Sequence, residues 1–298
     1  MITLTCLESR QQNGFQQYAL FNIEPLEVGQ AITLGNSLRR MLLSDLCGCA
    51  VTAAHFQMEA NGPLAHLSYE TPIVHEFQSV TGLREEPLEI LLNMKEIRFK
   101  PPLRPGIFLS SSDLEPIIGM VEVIGPKIIC ANQIRFPFLP IEKQPKVLNP
   151  SQYICTFTSQ ESRRFRIKLQ IETGKGYKFA YEDSPEKQKE TVTKLTFNEF
   201  PFQLDAAFMP VERVHFRIKT IHDEYGNLRE SLLLEILTNG SITPQRALQE
   251  SLKLLLDLIT PLFINSAFFD LTKEIEKLKL NETSHLNKIN KGANQTKD

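Results

Sequence analysis

Six histidines (His55, His66, His75, His215, His222, His285) and five cysteines (Cys6, Cys47, Cys49, Cys130, Cys155) carry most of the acid–base, nucleophilic and metal-binding capacity of this 298-residue sequence. Their spacing organises none of it. No two histidines stand four apart, so no helix face offers a His pair to zinc. Cys47-Gly48-Cys49 is the one close thiol pair, and no second pair stands at ligand spacing. It reads as two small buried residues at a turn. An odd, scattered cysteine set fits a reducing compartment better than a disulfide framework. His75-Glu76 reads as a surface pair. The sequence holds no Gly-x-x-x-x-Gly-Lys-Ser/Thr loop, no Gly-x-Ser-x-Gly elbow and no His-Glu-x-x-His helix. Gly174-Lys175-Gly176-Tyr177 is too short for a phosphate cradle and predicts a tight turn instead. We expect no catalytic residue and no metal ligand on this chain.

What remains are surfaces. A helix from Thr33 to about Leu46, with Thr33 as N-cap and Gly48 as its stop, places Leu34, Leu38, Met41 and Leu42 on one stripe. Asn36, Arg39, Arg40 and Leu43 fall on the opposite side. That side is either a solvated face with one stray leucine or a protein-contact patch, since arginine beside an apolar neighbour suits interfaces. Arg164 to Ile171 alternates cleanly, with Phe165, Ile167, Leu169 and Ile171 inward and Arg164, Arg166, Lys168 and Gln170 outward. Its basic side reads as a solvated edge.

The elements that position these surfaces follow from patterning. Hydrophobic residues make up 42% and charged residues 23%, which supports one large core or two modest ones. The net charge of −2 argues against nucleic-acid binding through a bulk positive field. No apolar run approaches the ~18 residues of a membrane span. The start, Met-Ile-Thr-Leu-Thr-Cys, predicts neither a secretory leader nor a transit peptide. Tyr18–Ile23 predicts a strand before the first helix. From Val51 to about Phe200 proline-rich texture excludes long helices and predicts short strands at 107–109, 121–124 and 127–130, with one helix at Pro87–Lys95. After a charged loop at Ser184-Pro185-Glu186, Arg213–Lys219 and Leu232–Ile236 form an antiparallel hairpin turning at Asp223–Asn227.

Asn239-Gly240 then leads into a long helix with Thr243 as N-cap and Pro244 at its first position. Its apolar positions, Leu252, Leu255, Ile259 and Leu262 among them, cover about 220° against the roughly 100° of a one-sided helix. Such a helix needs two surfaces. It is either sandwiched within one domain or shared between its own sheet and a two-fold mate. From Asn265 the chain becomes Asn/Lys-rich, and a frayed extension to about Leu280 followed by disorder is expected.

The blocks Glu24-Pro25-Leu26-Glu27-x-Gly29, Thr33-Leu34-Gly35-Asn36-x-Leu38-Arg39-Arg40-x-Leu42-Leu43-Ser44 and Gly48-Cys49-Ala50-Val51-Thr52 closely resemble the bacterial-type RNA polymerase alpha subunit family. Leu88–Lys95, Gly174-x-Gly176-Tyr177, Pro210-Val211-Glu212-Arg213 and Thr238–Ile242 continue the resemblance in order. It implies an α+β fold: an antiparallel sheet with two helices forms a dimerisation domain (1–50 and 201–265), interrupted by an inserted mostly-β domain (51–200), with 266–298 a polar tail. It implies a homodimer through Leu34, Leu38, Leu252, Leu255, Ile259 and Leu262, on which the β and β′ (or β″-type) subunits assemble. Asn36, Arg39, Arg40 and Leu43 become large-subunit contacts. Asn93 and Lys95 become a second contact segment, and the Gly174–Tyr177 turn, Glu212 and Arg213 face the other large subunit.

Catalysis and magnesium are then expected on a large subunit, and sigma factor and DNA are met only through the holoenzyme. The family's DNA-binding C-terminal domain does not fit in the short polar stretch 265–298, so a plastid-encoded version in the stroma is expected, or else a bacterial cytoplasmic one. An autonomous small-molecule enzyme or ligand-binding protein with an unrecognised site is the alternative.

Overall fold

A computed structural model describes residues 2–12, 14–60, 71–73, 75–101, 116–159, 163–180, 201–222 and 226–264. In chain order the strands are β1 (Thr3–Gln12), β2 (Gln16–Leu26), β3 (Cys47–Ala60), β4 (Thr71–Pro72), β5 (Phe99–Lys100), β6 (Ile117–Ile124), β7 (Lys127–Cys130), β8 (Lys146–Val147), β9 (Tyr153–Phe157), β10 (Arg163–Lys175), β11 (Tyr177–Lys178), β12 (Phe202–Gln203), β13 (Ala206–Ala207), β14 (Val211–His222) and β15 (Leu228–Thr238). The α-helices are α1 (Gln30–Ser44), α2 (Pro87–Lys95) and α3 over 244–264. The architecture is mixed α+β and the strand pairings are antiparallel, in keeping with the fold class the resemblance implies.

Strands from both ends of the sequence share a four-stranded sheet in the order β1-β2-β15-β14. Ala19, Phe21 and Ile23 of β2 stand opposite Ile236, Leu234 and Leu232 of β15, and all six are buried. Alternation puts them on one face, and each of the five larger side chains removed from water is worth about 1.5–3 kcal/mol. The hairpin β14–β15 forms as expected, with Val214 opposite Ile236 and Ile218 opposite Leu232. Strand β1 was not legible in the sequence. It is exposed along nearly its whole length, so no inward–outward alternation marks it.

The second sheet runs β6-β10-β3-β5-β8, with β4 and β12 also on β3. Phe56, Phe99, Phe157 and Phe165 are fully buried in its core, and Phe157 and Phe165 stack at 5.7 Å. Phe165, Ile167, Leu169 and Ile171 point inward as read from the alternation. The outward side is not a solvated edge. β10 pairs with β3 on one side and β6 on the other, and Glu122 of β6 takes Arg164 at 3.0 Å and Arg166 at 3.5 Å. The basic row is thus partly neutralised within the sheet.

Three local expectations change. Helix α1 starts at Gly29, whose φ of 89° suits glycine, and the Thr33 hydroxyl merely bonds back to the Gly29 carbonyl at 3.2 Å. The helix ends at Asp45 without Gly48. Gly48 instead lies inside β3 with its neighbours Cys47 and Cys49, and it must be glycine there because a Cβ would fall 1.9 Å from the Phe208 carbonyl oxygen. The stretch is therefore strand, not turn. The strands expected at 121–124 and 164–171 extend to β6 and β10, while β7 and α2 keep their expected bounds. The expected strand at 107–109, the loop at Ser184–Glu186, the turn residues 223–225 and everything from 265 onward lie outside the described residues.

Internal contacts divide the chain into Met1–Ser251 and Leu252–Asp298. In the first unit the start of α3 follows the sequence signals: the Arg246 N–H donates to Thr243 Oγ1 at 3.4 Å, and the Ala247 N–H to the Thr243 carbonyl at 2.9 Å. Ala247, Leu248 and Ser251 are buried. The described part of the second unit, 252–264, is helical throughout.

Candidate subunit-docking surfaces

Helix α1 is fixed at its N-terminus by groups far away in sequence. The Ala31 N–H donates to Glu230 Oε2 of β15 at 3.1 Å, and the Glu27 N–H to Gln30 Oε1 at 3.1 Å. A carboxylate at this end also opposes the helix dipole favourably. Ala31, Gly35, Leu38 and Leu42 are buried. Gly35 permits close approach to β14, since a Cβ there would stand 2.8 Å from the Phe216 ring.

The opposite side separates the two arginines. Arg39 Nη1 donates to the Val214 carbonyl at 2.8 Å, which clamps the helix to β14. Arg40 is exposed, and its guanidinium meets no hydrogen-bond or ion-pair partner among the described residues. Asn36 is exposed and Leu43 half-buried. Residues 36, 40 and 43 stand at i, i+4 and i+7, so they form one stripe; Arg39 beside it is exposed as well, but its guanidinium is engaged by the Val214 carbonyl. Leu34 is half-buried. Leu38, expected at a dimer contact, is 0% exposed and belongs to the protein's own core. A side chain with no accessible surface holds α1 on its sheet and has nothing to offer a second chain.

The described part of the second unit presents a different surface. Leu256, Leu258, Ile259, Leu262, Phe263 and Ile264 are 55–71% exposed, while Leu252 and Leu255 are half-buried. Six large apolar side chains within nine residues of one helix make a contiguous patch of the kind that marks a protein interface.

Helix α2 begins with a reciprocal cap between Glu86 and Glu89 and with Pro87 in its first turn. Asn93, expected at a subunit contact, donates from Nδ2 to the Ile154 carbonyl at 3.0 Å and so ties α2 to β9. Lys95 Nζ lies 3.2 Å from Tyr177 Oη, 3.4 Å from Asp205 Oδ2 and 5.6 Å from the Tyr177 ring centroid. Burial would lower the Lys95 ammonium, but the bonds to Tyr177 and Asp205 outweigh it and hold its pKa above the usual lysine value. The Ala180 N–H, donating at 2.9 Å, holds the Asp205 carboxyl below the usual range, and Tyr177 and Lys95 add to this.

Tyr177 and Phe179 meet edge to face at 4.9 Å and are 41% and 58% exposed. The structure thus joins the Lys95 segment to the glycine turn, which the sequence kept apart. Asp205 and Phe179 were missed: nothing in their spacing ties them to Lys95. Glu212 and Arg213 lie elsewhere, exposed at the start of β14, where Glu212 accepts from Gln16 Nε2 at 2.7 Å. Among the described residues no group of three or more His, Cys, Asp or Glu could hold a metal ion, and no helix is long and apolar enough to cross a membrane.

The first unit carries a helix packed on a four-stranded sheet, and the described part of the second unit is a helix with an exposed apolar run. Residues 24–259 match the RNA polymerase Rpb3/Rpb11 dimerisation domain. The chain is 35% identical over 286 residues to the DNA-directed RNA polymerase subunit alpha of Guillardia theta, covering 96% of this chain and 76% of that relative. To the same subunit of Rhodomonas salina it is 36% identical over 259 residues (87% and 69%), and to that of Synechocystis 35% over 259 residues (87% and 70%). The chain belongs to the DNA-directed RNA polymerase alpha subunit family.

Proposed function

We propose that two copies of this chain pair through the apolar run of α3 and that the pair is the platform on which the β and β′ (or β″-type) subunits assemble. The exposed run from Leu256 to Ile264 carries the reading. Residues 1–50 and 201–265 act as the dimerisation domain and 51–200 as an insertion, a division supported by the two larger sheets except at its borders, where β3 starts at Cys47 and β12 and β13 pair with β3 and β11. The stripe Asn36, Arg40 and Leu43 grips one large subunit. Lys95 with Tyr177 and Phe179 forms a second contact, and Glu212 and Arg213 serve toward the other large subunit. Nucleotidyl transfer and its magnesium belong to the large subunits, and sigma factor and DNA are reached through the assembled enzyme. Algal and cyanobacterial relatives support a plastid or bacterial setting, and we favour the plastid stroma.

Arg40→Ala tests the platform. The variant should remain a folded dimer by size-exclusion chromatography and lose capture of the β-type subunit in a pull-down. Undiminished capture would refute the assignment of Arg40.

A further inference from the structure

Strand β14 ends its sheet, so among the described residues one of its edges faces no other strand. Arg213, His215, Arg217 and Lys219 alternate along it, stand opposite Leu237, Glu235, Leu233 and Ser231, and are all exposed. Only Arg217 has an ion pair among the described residues, 3.8 Å from Glu235. With about 6.8 Å between alternate residues, the four form a basic row roughly 20 Å long. On the other face Val214 is buried, Phe216 half-buried and Ile218 37% exposed, so cover thins toward the end of the strand.

The backbone supplies the second half of the site. Arg39 takes the Val214 carbonyl, so that carbonyl points away from β15. Strand alternation gives Phe216, Ile218 and Thr220 the same outward direction. Among the described residues the edge is therefore capped by Arg39 at its start and meets no other strand over residues 215–222. A lysine or two is enough to discourage self-pairing of an edge. A row of one sign also selects: it repels a basic strand and attracts an acidic one, because cross-strand neighbours sit about 5 Å apart.

We propose that the open edge of β14 accepts an extended acidic polypeptide segment as an added strand. Its Asp or Glu residues, at alternate positions, lie beside His215, Arg217 and Lys219, and its intervening apolar residues lie beside Phe216 and Ile218. An added strand satisfies the outward N–H and C=O groups, which a nucleic-acid backbone does not match in register. Glu235 and Glu8 share the basic face and oppose a dense polyphosphate: Glu235 pairs with His215 across the strands, and both it and Glu8 stand opposite Leu20.

The test is fluorescence anisotropy with the full chain and a labelled eight-residue peptide of alternating Glu and Val. Binding should fall at least tenfold when the same residues are rearranged as a Glu block and a Val block, and at least tenfold in R217E/K219E. A Lys/Val repeat should bind that variant in preference to the wild type. Ile218→Pro removes one outward N–H without touching the β14–β15 ladder and should also weaken binding. Circular dichroism confirms that each variant is folded. Absence of binding, equal binding of the block peptide, or tighter binding of a single-stranded oligonucleotide of equal charge would overturn the proposal.

Discussion

Helix α1 turns Ala31, Gly35, Leu38 and Leu42 onto its own sheet, whereas α3 carries Leu256, Leu258, Ile259, Leu262, Phe263 and Ile264 largely exposed. Both helices are rich in leucine, and composition alone does not separate them. The difference lies in what each side chain touches. The buried α1 leucines, Leu38 and Leu42, stabilise one chain, and a helix with apolar residues all round gains its stability from a second surface. A neighbouring pair inside α1 repeats the lesson at smaller scale: Arg39 is a clamp on Val214, and Arg40 is free for a partner among the described residues.

Substitutions can break this contrast. The largest effect is expected from I259E/L262E, which buries two carboxylates in the proposed dimer contact. Self-association should weaken at least a thousandfold, about 4 kcal/mol, by sedimentation equilibrium, with an unchanged circular dichroism spectrum. Leu38→Ala should do the reverse. It leaves a cavity in the chain's own core and should cost about 3 kcal/mol in urea unfolding of a monomerised background. Equal effects of the two changes on self-association would erase the distinction between the helices.

The arginines sharpen it further. Arg39→Ala should lower stability by about 1 kcal/mol, the net worth of a hydrogen bond made by an exposed side chain, while Arg40→Ala should leave the urea midpoint unchanged. The smallest effect is expected at Asp205. Its depressed pKa means that its contribution is present above the unfolded carboxyl value and is lost as pH falls through the folded one. Lys95, raised, contributes below the unfolded lysine value and loses its contribution as pH rises through the folded one. The tie from α2 to the Tyr177 turn is therefore intact across neutral pH. By NMR the Asp205 carboxyl should titrate below the usual aspartate range, and Lys95→Ala should move it upward.

Much of the fold was legible wherever one face is buried and the other wet. The alternation of β10, the β14–β15 hairpin, the bounds of α2 and the Thr243 cap all follow from local pattern. What escaped depended on distant groups. The start of α1 is set by Gly29 and held by Glu230, 199 residues from Ala31, so a nearby threonine misled. Gly48 is required by the Phe208 carbonyl and not by a helix end. The basic row of β10 looked like an edge because nothing local announces the Glu122 partner. At the surfaces, the sequence located the two-arginine patch but could not divide it, since the Val214 carbonyl is visible only in the fold.

Sedimentation equilibrium of the wild-type chain at low micromolar concentration tests the pairing of two copies most directly. A species near twice the 34.0 kDa chain mass is expected, dissociating only well below that concentration. A folded particle of single-chain mass throughout would contradict it.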